Sequence, residues 1–301
     1  MRIAVTGSTG MIGKALVAEL RASGHTVTRV VRTPQASSER EQLVSWDPKT
    51  GSIDAEGLEN HAALVHLAGA SIFGLWTPTR KQAILDSRVQ GTTLLSRSLA
   101  GLRHPPRVLI TASAIGYYGD RPANESLAET AAAGRGFLAE VVQRWEQSAE
   151  PARTTGIRVA HTRFGLILTP SGGALGAMLP IFQLGLGGRL GSGDQIWSWV
   201  TLPDVIGAIQ QVIARDELSG PVNVAAPGAV SNAEFTRTLG RVLHRPTLFH
   251  VPRFVLHAVL REMADELLLS GAKVVPRKLL DTGFRFRHGE LEPALRALLN
   301  R

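Results

Sequence analysis

Residues 2–18 read "RIAVTGSTGMIGKALVA": a short apolar run, glycines at positions 7, 10 and 13, then an apolar pattern of helical period. No other stretch constrains the fold as much. A glycine turn between a strand and a helix lets the chain reverse sharply and approach a ligand with no Cβ in the way. The helix start beyond it offers free N–H groups and a positive dipole end, which suit a phosphate. Gly7, Gly10 and Gly13 therefore predict the pyrophosphate turn of a dinucleotide-binding βαβ unit.

The following residues extend the same alternation. Strand-like segments recur at 26–31, 43–46, 63–68, 107–112 and 157–164, and helix candidates stand at 11–24, 78–102 and 134–156. Strands alternating with crossover helices predict an α/β fold, a Rossmann-type doubly wound parallel sheet. Residues 169–200 are glycine-rich and carry Trp197 and Trp199, which reads as a loop region on the substrate side. A helix is expected at 203–215 and a strand at 221–226, and Ser231 with Glu234 has capping-box spacing for another helix. The expected division is a dinucleotide-binding domain over 1–230 and a smaller, mainly helical C-terminal lobe over 231–301.

Composition narrows the classes of partner. The chain of 301 residues contains no cysteine, which removes disulfides, thiolate metal sites and thiol nucleophiles. Its net charge of +8 comes mainly from arginines scattered among acids and apolar residues, not from a basic block, which argues against a nucleic-acid partner. No charged, cleavable leader pattern and no apolar run of roughly 20 residues is visible, so no membrane partner and a cytoplasmic location are expected. Oligomeric state, monomer or dimer, is left open by the sequence.

The second strand selects the cofactor. A chain that binds NAD(H) usually carries an acid at the end of that strand, for the ribose 2′-hydroxyl. Here Arg32 stands at the tip, and the first acid after it is Glu39. A guanidinium is permanently charged and binds a 2′-phosphate bidentately, so NADP(H) is favoured over NAD(H).

These features, with "HLAGA" at 66–70 and "TASAIGYYG" at 111–119, resemble an extended short-chain dehydrogenase/reductase of the nucleotide-sugar epimerase type. "SRVQGT" (87–92), "WE" (145–146), "GGAL" (172–175), "GLGGRLGSGDQIWSWV" (185–200) and "EMADELLLSGAKVVP" resemble its atypical branch of epimerase family proteins, whose members end in a domain of unknown function. The resemblance implies that Gly7, Ser8, Thr9, Gly10, Met11, Ile12 and Gly13 line the pyrophosphate and Arg32 the 2′-phosphate. It also implies Asp47 or Trp46 on the adenine side, and Leu67, Ala68 and Gly69 under the nicotinamide ribose.

One part of the superfamily pattern is missing. Active relatives join a Ser or Thr on the fifth core strand to a Tyr and a Lys four residues apart on the next helix. The Lys lowers the Tyr pKa and holds the ribose. In this chain the helix reads "GRGFLAEVVQRWEQSAE", with Phe137, Leu138, Val141 and Val142 near the expected position, and the chain's tyrosines are Tyr117 and Tyr118 alone. Ser113 keeps the hydroxyl position, either for a substrate carbonyl or as a strand-end serine bonded to backbone. Tyr117 and Tyr118 either face the nicotinamide or pack in the loop. Glu125 and Glu129 are the nearest acids and read as solvated. Arg163 meets either a substrate anion or an acidic neighbour, and Gln195, Trp197, Ser198 and Trp199 form the far wall of the pocket or simply pack. His66, in an apolar strand with no second ligand at metal spacing, reads as a hydrogen-bonded histidine of the sheet, and no metal is expected.

Three functions are compatible with this inventory: an NADP(H)-dependent oxidoreductase on a small, anionic or neutral substrate, with Ser113 and a tyrosine in a rearranged acid/base set; a nucleotide-sugar epimerase or dehydratase; and a non-catalytic NADP(H)-binding protein that a partner reads.

Overall fold

The computed structural model describes residues 1–32 and 42–301; Glu39 lies outside the described residues. Its centre is an eight-stranded sheet. The strands are β1 (Arg2–Thr6), β2 (Thr26–Val31), β3 (Gln42–Asp47), β4 (Ser52–Ile53), β5 (Ala63–His66), β6 (Val108–Ala114), Arg158–Phe164 and Gly220–Val224. In space they run Gly220–Val224, Arg158–Phe164, β6, β5, β1, β2, β3, β4, parallel throughout except for the edge pair β3–β4.

Helices cover both faces, so the strands have two apolar sides. Ile3, Val5, Ala63, Val65, Val108, Ile110, Val222 and Val224 share a core with α1 (Met11–Ala22) and the helix Leu202–Ala214. Ala4, Leu64, Leu109 and Val159 pack on the opposite face with Leu95 and Leu99 of α2 (Pro78–Ala100). Burying a side chain of this size contributes about 1.5–3 kcal/mol, so the two cores dominate the stability of the sheet.

The α2 face changes character toward the C-terminal strand ends, where ligands of open parallel sheets sit. Thr6, His66, Thr111 and His161 are register partners across four adjacent strands. Two residues on, Ser113, Arg163 and Asn223 form a second such row. Side chains two apart share a face, so both rows point toward the helices of that side.

A second core lies beyond the sheet. It joins Leu168, Leu175, Leu179, Phe182, Trp197 and Trp199 to Phe235 and Leu239 of the helix Asn232–Leu243 and Leu291 and Leu295 of the helix Leu291–Leu299. The segment 169–200 thus contributes as much packing as cover. It contains a helix, Gly173–Gln183, because "ALGAMLPIF" places Leu175, Leu179 and Phe182 on one buried stripe despite its glycines and Pro180. Among the described residues no helix is long and apolar enough to cross a membrane.

Candidate functional site

The glycine turn is built for close approach. Gly7 has φ +63°, and a Cβ there would stand 2.8 Å from the backbone N of Ala68. A Cβ on Gly13 would stand 2.2 Å from the carbonyl O of Gly7, so only glycine lets α1 start against the turn. Beside the turn opens a cavity of about 1020 Å³, large enough for a dinucleotide. Gly7, Ser8, Thr9, Gly10, Arg32, Asp47, Leu67, Ala68 and Gly69 line it, together with Trp46. Met11, Ile12 and Gly13 do not. Gly13 is sealed under the turn, Ile12 packs on the main core, and the Met11 sulfur lies 3.6 Å from where Cβ atoms of Gly172 and Gly173 would be.

Arg29, on β2, also lines this cavity and donates from Nε to Ser8 Oγ at 3.1 Å. No sequence signal marks Arg29, because it sits inside a strand, where alternation assigns a face but not a ligand. Arg29 and the exposed Arg32 place two guanidinium groups at the β2 end of the cavity.

His66 lies buried beneath the lining residues Leu67 and Ala68. Thr6 Oγ1 accepts from the N–H groups of Leu67 and Ala68, at 3.1 and 3.3 Å, which leaves its own proton for His66 Nδ1 at 2.7 Å. This pattern assigns the ring hydrogen to Nε2, which has no partner. Burial pulls the imidazole pKa down to about 3, so the ring is neutral at physiological pH.

The second polar row carries the candidate chemistry. Ser113 Oγ donates to Glu146 Oε1 at 2.6 Å. Glu146 lies on α3 (Phe137–Gln147), and Arg163 clamps its carboxylate, donating from Nε to Oε1 at 2.8 Å and from Nη2 to Oε2 at 2.7 Å. The Arg163 side chain is 3 % exposed and that of Glu146 13 %, so the pair is shielded from water. Burial pulls the Arg163 pKa down, but the bonds and charge of Glu146 outweigh it and leave the pKa raised. Glu146 follows Leu138 and Val142 at intervals of four on α3. It therefore shares their helix face, one turn beyond Val142. Leu138 itself abuts Gly116, where a Cβ would lie 3.4 Å from the Leu138 Cβ.

The tyrosines divide. Tyr118 is fully buried; its hydroxyl donates to Asn223 Oδ1 at 2.7 Å and accepts from Arg163 Nη1 at 3.1 Å, and burial raises its pKa. It is a packed network residue with no free face. Tyr117 is half-buried and lies flat against Arg163, whose Cζ is 3.5 Å from the ring centroid. The Arg163 guanidinium is thus enclosed by protein partners and is not presented to a substrate anion.

Other candidates stand elsewhere. Glu129 is buried, not solvated: Oε1 accepts from the backbone N–H groups of Asn223 and Lys278 at 3.1 and 3.2 Å. Glu125 pairs with Arg121 nearer the surface. Trp199 is 0 % exposed with its indole N–H on the Gly228 carbonyl, and Trp197 packs edge-to-face on Phe235. Both belong to the core beyond the sheet. Gln195 Nε2 ties Leu190 to Leu268 through their carbonyls, and Ser198 Oγ sits between Ala272 O and Val274 N, so both fasten the C-terminal segment.

Comparison with known proteins agrees with this architecture. Residues 3–225 match the NAD dependent epimerase/dehydratase family, and residues 251–298 match a domain of unknown function, DUF1731. An epimerase family protein of Mycobacterium bovis is 43 % identical over 97 % of this chain and 96 % of its own. The crystal structure of human epimerase family protein SDR39U1 with NADPH superposes with a TM-score of 0.90 at 33 % identity, covering 100 % of both chains. That of a nucleoside-diphosphate sugar epimerase from Corynebacterium glutamicum gives 0.81 at 31 % identity, covering 99 % of this chain and 58 % of the other. The chain belongs to the NAD dependent epimerase/dehydratase family.

Proposed function

We propose that the chain is an NADP(H)-dependent oxidoreductase of a small hydroxyl or carbonyl compound, in which Ser113 and Glu146 move the proton. The observation that carries this reading is the 2.6 Å bond from Ser113 Oγ to a carboxylate clamped by Arg163. Bound NADP(H) supplies the hydride or takes it up, and the turn at Gly7–Gly13 with the cavity beside it fits such a cofactor. Arg29 and Arg32 favour the form carrying a 2′-phosphate.

When a substrate hydroxyl is oxidised, Ser113 Oγ takes its proton while the serine's own proton passes to Glu146 Oε1. Reduction runs the same transfer backwards. Arg163 orients the carboxylate and balances its charge, and the shielded surroundings strengthen both contacts. The missing Tyr and Lys are thus replaced from another position on the same helix. The human relative whose crystal structure contains NADPH supports the cofactor assignment.

The test is turnover of NADPH and NADP⁺ against panels of carbonyl compounds and alcohols. Wild-type protein is expected to show activity that Ser113→Ala and Glu146→Gln each reduce about 10²-fold or more with cofactor affinity unchanged. Activity untouched by both substitutions would remove the pair from the chemistry.

One observation favours a second reading, a non-catalytic NADP(H)-binding protein. Ser113 is 3 % exposed, and its network continues through Tyr118 and Asn223 to the carbonyl of Val275. Such a network fastens the C-terminal segment whether or not a substrate arrives. No turnover on either panel by NADPH-saturated protein would select it.

A further inference from the structure

Among the described residues Arg88 is a cation without a counter-ion. It lies on α2, one turn after Ile84 and one turn before Thr92, on the stripe that meets α3: Thr92 Oγ1 accepts the indole N–H of Trp145, and the Arg88 Cζ stands 5.0 Å from the Trp145 ring. Its Nη1 donates to the carbonyl oxygens of Ala70 and Ile84, at 3.2 and 3.0 Å. Among the described residues no carboxylate pairs with it. Burial alone lowers its pKa, to about 10, and no acidic neighbour raises it again.

Even a half-buried charge with no counter-ion carries a desolvation cost, and structures normally pair it. Arg163, eighteen residues past Trp145, is wrapped by Glu146 and two tyrosines. Arg88 has two neutral carbonyls and one aromatic face, while Nε and Nη2 keep donors free. Neither of these nitrogens is among the sealed atoms without a partner, so both reach solvent.

Gly69, a lining residue of the cofactor cavity, abuts the Arg88 guanidinium on its Nη1 side. A Cβ on Gly69 would lie 3.7 Å from the Arg88 Cζ. Ala83, Asp86, Ser87 and Gln90 of α2 line the same cavity, and Ser87 Oγ holds the N–H of Ala70. Arg88 therefore stands between this wall of the cavity and α3, the helix that carries Glu146.

We propose that Arg88 is an anion-binding residue beside the α2 wall of the cavity, and that the ligand it takes presents a phosphate or carboxylate group to its free N–H donors. The forked guanidinium suits either group bidentately, and neutralising it removes the burial cost. Two sources supply that chemistry, an anionic substrate or the cofactor's pyrophosphate. The glycine turn already offers the pyrophosphate its own N–H groups, so the substrate is the expected source. The inference deepens the oxidoreductase reading by giving the substrate a charge, but anion binding at Arg88 does not require turnover.

The experiment uses full-length wild type, Arg88→Gln and Arg88→Lys. Each is titrated with NADPH and with adenosine 2′,5′-bisphosphate, which lacks the pyrophosphate. Each is then titrated with inorganic phosphate and with malonate, both free and saturated with NADPH, and followed by thermal shift. The expected result is that phosphate or malonate stabilises NADPH-saturated wild type, that Arg88→Gln loses at least tenfold in anion affinity, that Arg88→Lys recovers part of it, and that NADPH affinity is unchanged. A tenfold loss of NADPH affinity in Arg88→Gln, with the bisphosphate unaffected, would support the anion site and assign it to the pyrophosphate. Equal anion and NADPH affinities in wild type and Arg88→Gln would overturn the proposal. Wild type that does not bind NADPH would sink the cofactor reading, while the anion titration of the free protein would still decide Arg88. Arg88→Lys keeps the charge and stem, so it remains informative if Arg88→Gln folds poorly.

Discussion

Ser113 and Arg163 face each other as register partners on adjacent parallel strands, and both donate to the same oxygen, Oε1 of Glu146, at 2.6 and 2.8 Å. The sheet fixes the first two side chains and α3 delivers the third, so the site depends on how one helix is seated over two strands.

Removing Arg163 should therefore cost stability as well as function. Arg163→Met leaves the Glu146 carboxylate, 13 % exposed, without its partner and Tyr118 without a donor. Losing one member of a buried pair costs about 3–5 kcal/mol. Urea unfolding should show a loss of that order, and Arg163→Met with Glu146→Gln should recover part of it. A loss within about 0.5 kcal/mol, the usual size at a surface position, would mean that the pair is not shielded as described.

The seating of α3 depends on the C-terminal lobe. Glu266 accepts from the N–H groups of Phe137 and Leu138 at 2.7 and 2.9 Å, which occupies two free donors at the helix start with a negative charge. Gly136, with φ +106°, leaves the carboxylate room, since a Cβ there would fall 2.4 Å from Oε1. Glu266→Ala should destabilise by about 1–2 kcal/mol. If α3 shifts, turnover should fall while NADPH affinity holds, because Glu146 rides on that helix and the cavity does not include it. Equal loss of both, measured by kinetics and cofactor titration, would place the effect in general unfolding.

Much of this was legible before any coordinates. The glycine turn and the parallel sheet follow from local spacing, because a βαβ unit is specified by residues close together in sequence, while the place of Leu67–Gly69 at the cavity is what the family resemblance implies. The pairing of Ser113 with Glu146 spans 33 residues and carries no such spacing. A weak signal did exist: Glu146 continues the 138–142 interval by another four, an acid on an otherwise apolar helix face. Trp197 and Trp199 read as a pocket wall because aromatic residues beside glycines suit both roles. Only the packing of the helices Asn232–Leu243 and Leu291–Leu299 against them decides for the core.

Cofactor preference rests on the adenosine side of the cavity. Arg32 is exposed at the tip of β2 and Arg29 is oriented by Ser8. Arg32→Ala should weaken NADPH binding by about 1–3 kcal/mol, the value of a charge-assisted contact, and leave NADH binding nearly unchanged. Fluorescence titration with both cofactors checks this, and Arg29→Ala provides the second arm. Equal weakening of NADPH and NADH by Arg32→Ala would remove the 2′-phosphate assignment.

His66 makes the fold sensitive to acid. Its ring is neutral in the folded protein and its pKa is lowered from 6.5 to about 3 by burial, whereas the unfolded chain titrates near the ordinary value. The folded pKa is the lower one, so the unfolded state binds more protons between these values. The stabilisation is complete above pH 6.5 and declines as pH falls toward 3, by about 1.4 kcal/mol per unit from this one group. His66→Asn keeps an acceptor for the Thr6 hydroxyl and removes the titration. Urea unfolding of wild type and His66→Asn between pH 7 and 4.5 should therefore show stability curves that converge as the pH falls, the wild-type slope being steeper by up to one proton. Parallel curves would show that the imidazole titrates in the folded protein as it does in the unfolded chain, and so that its burial does not shield it from protons.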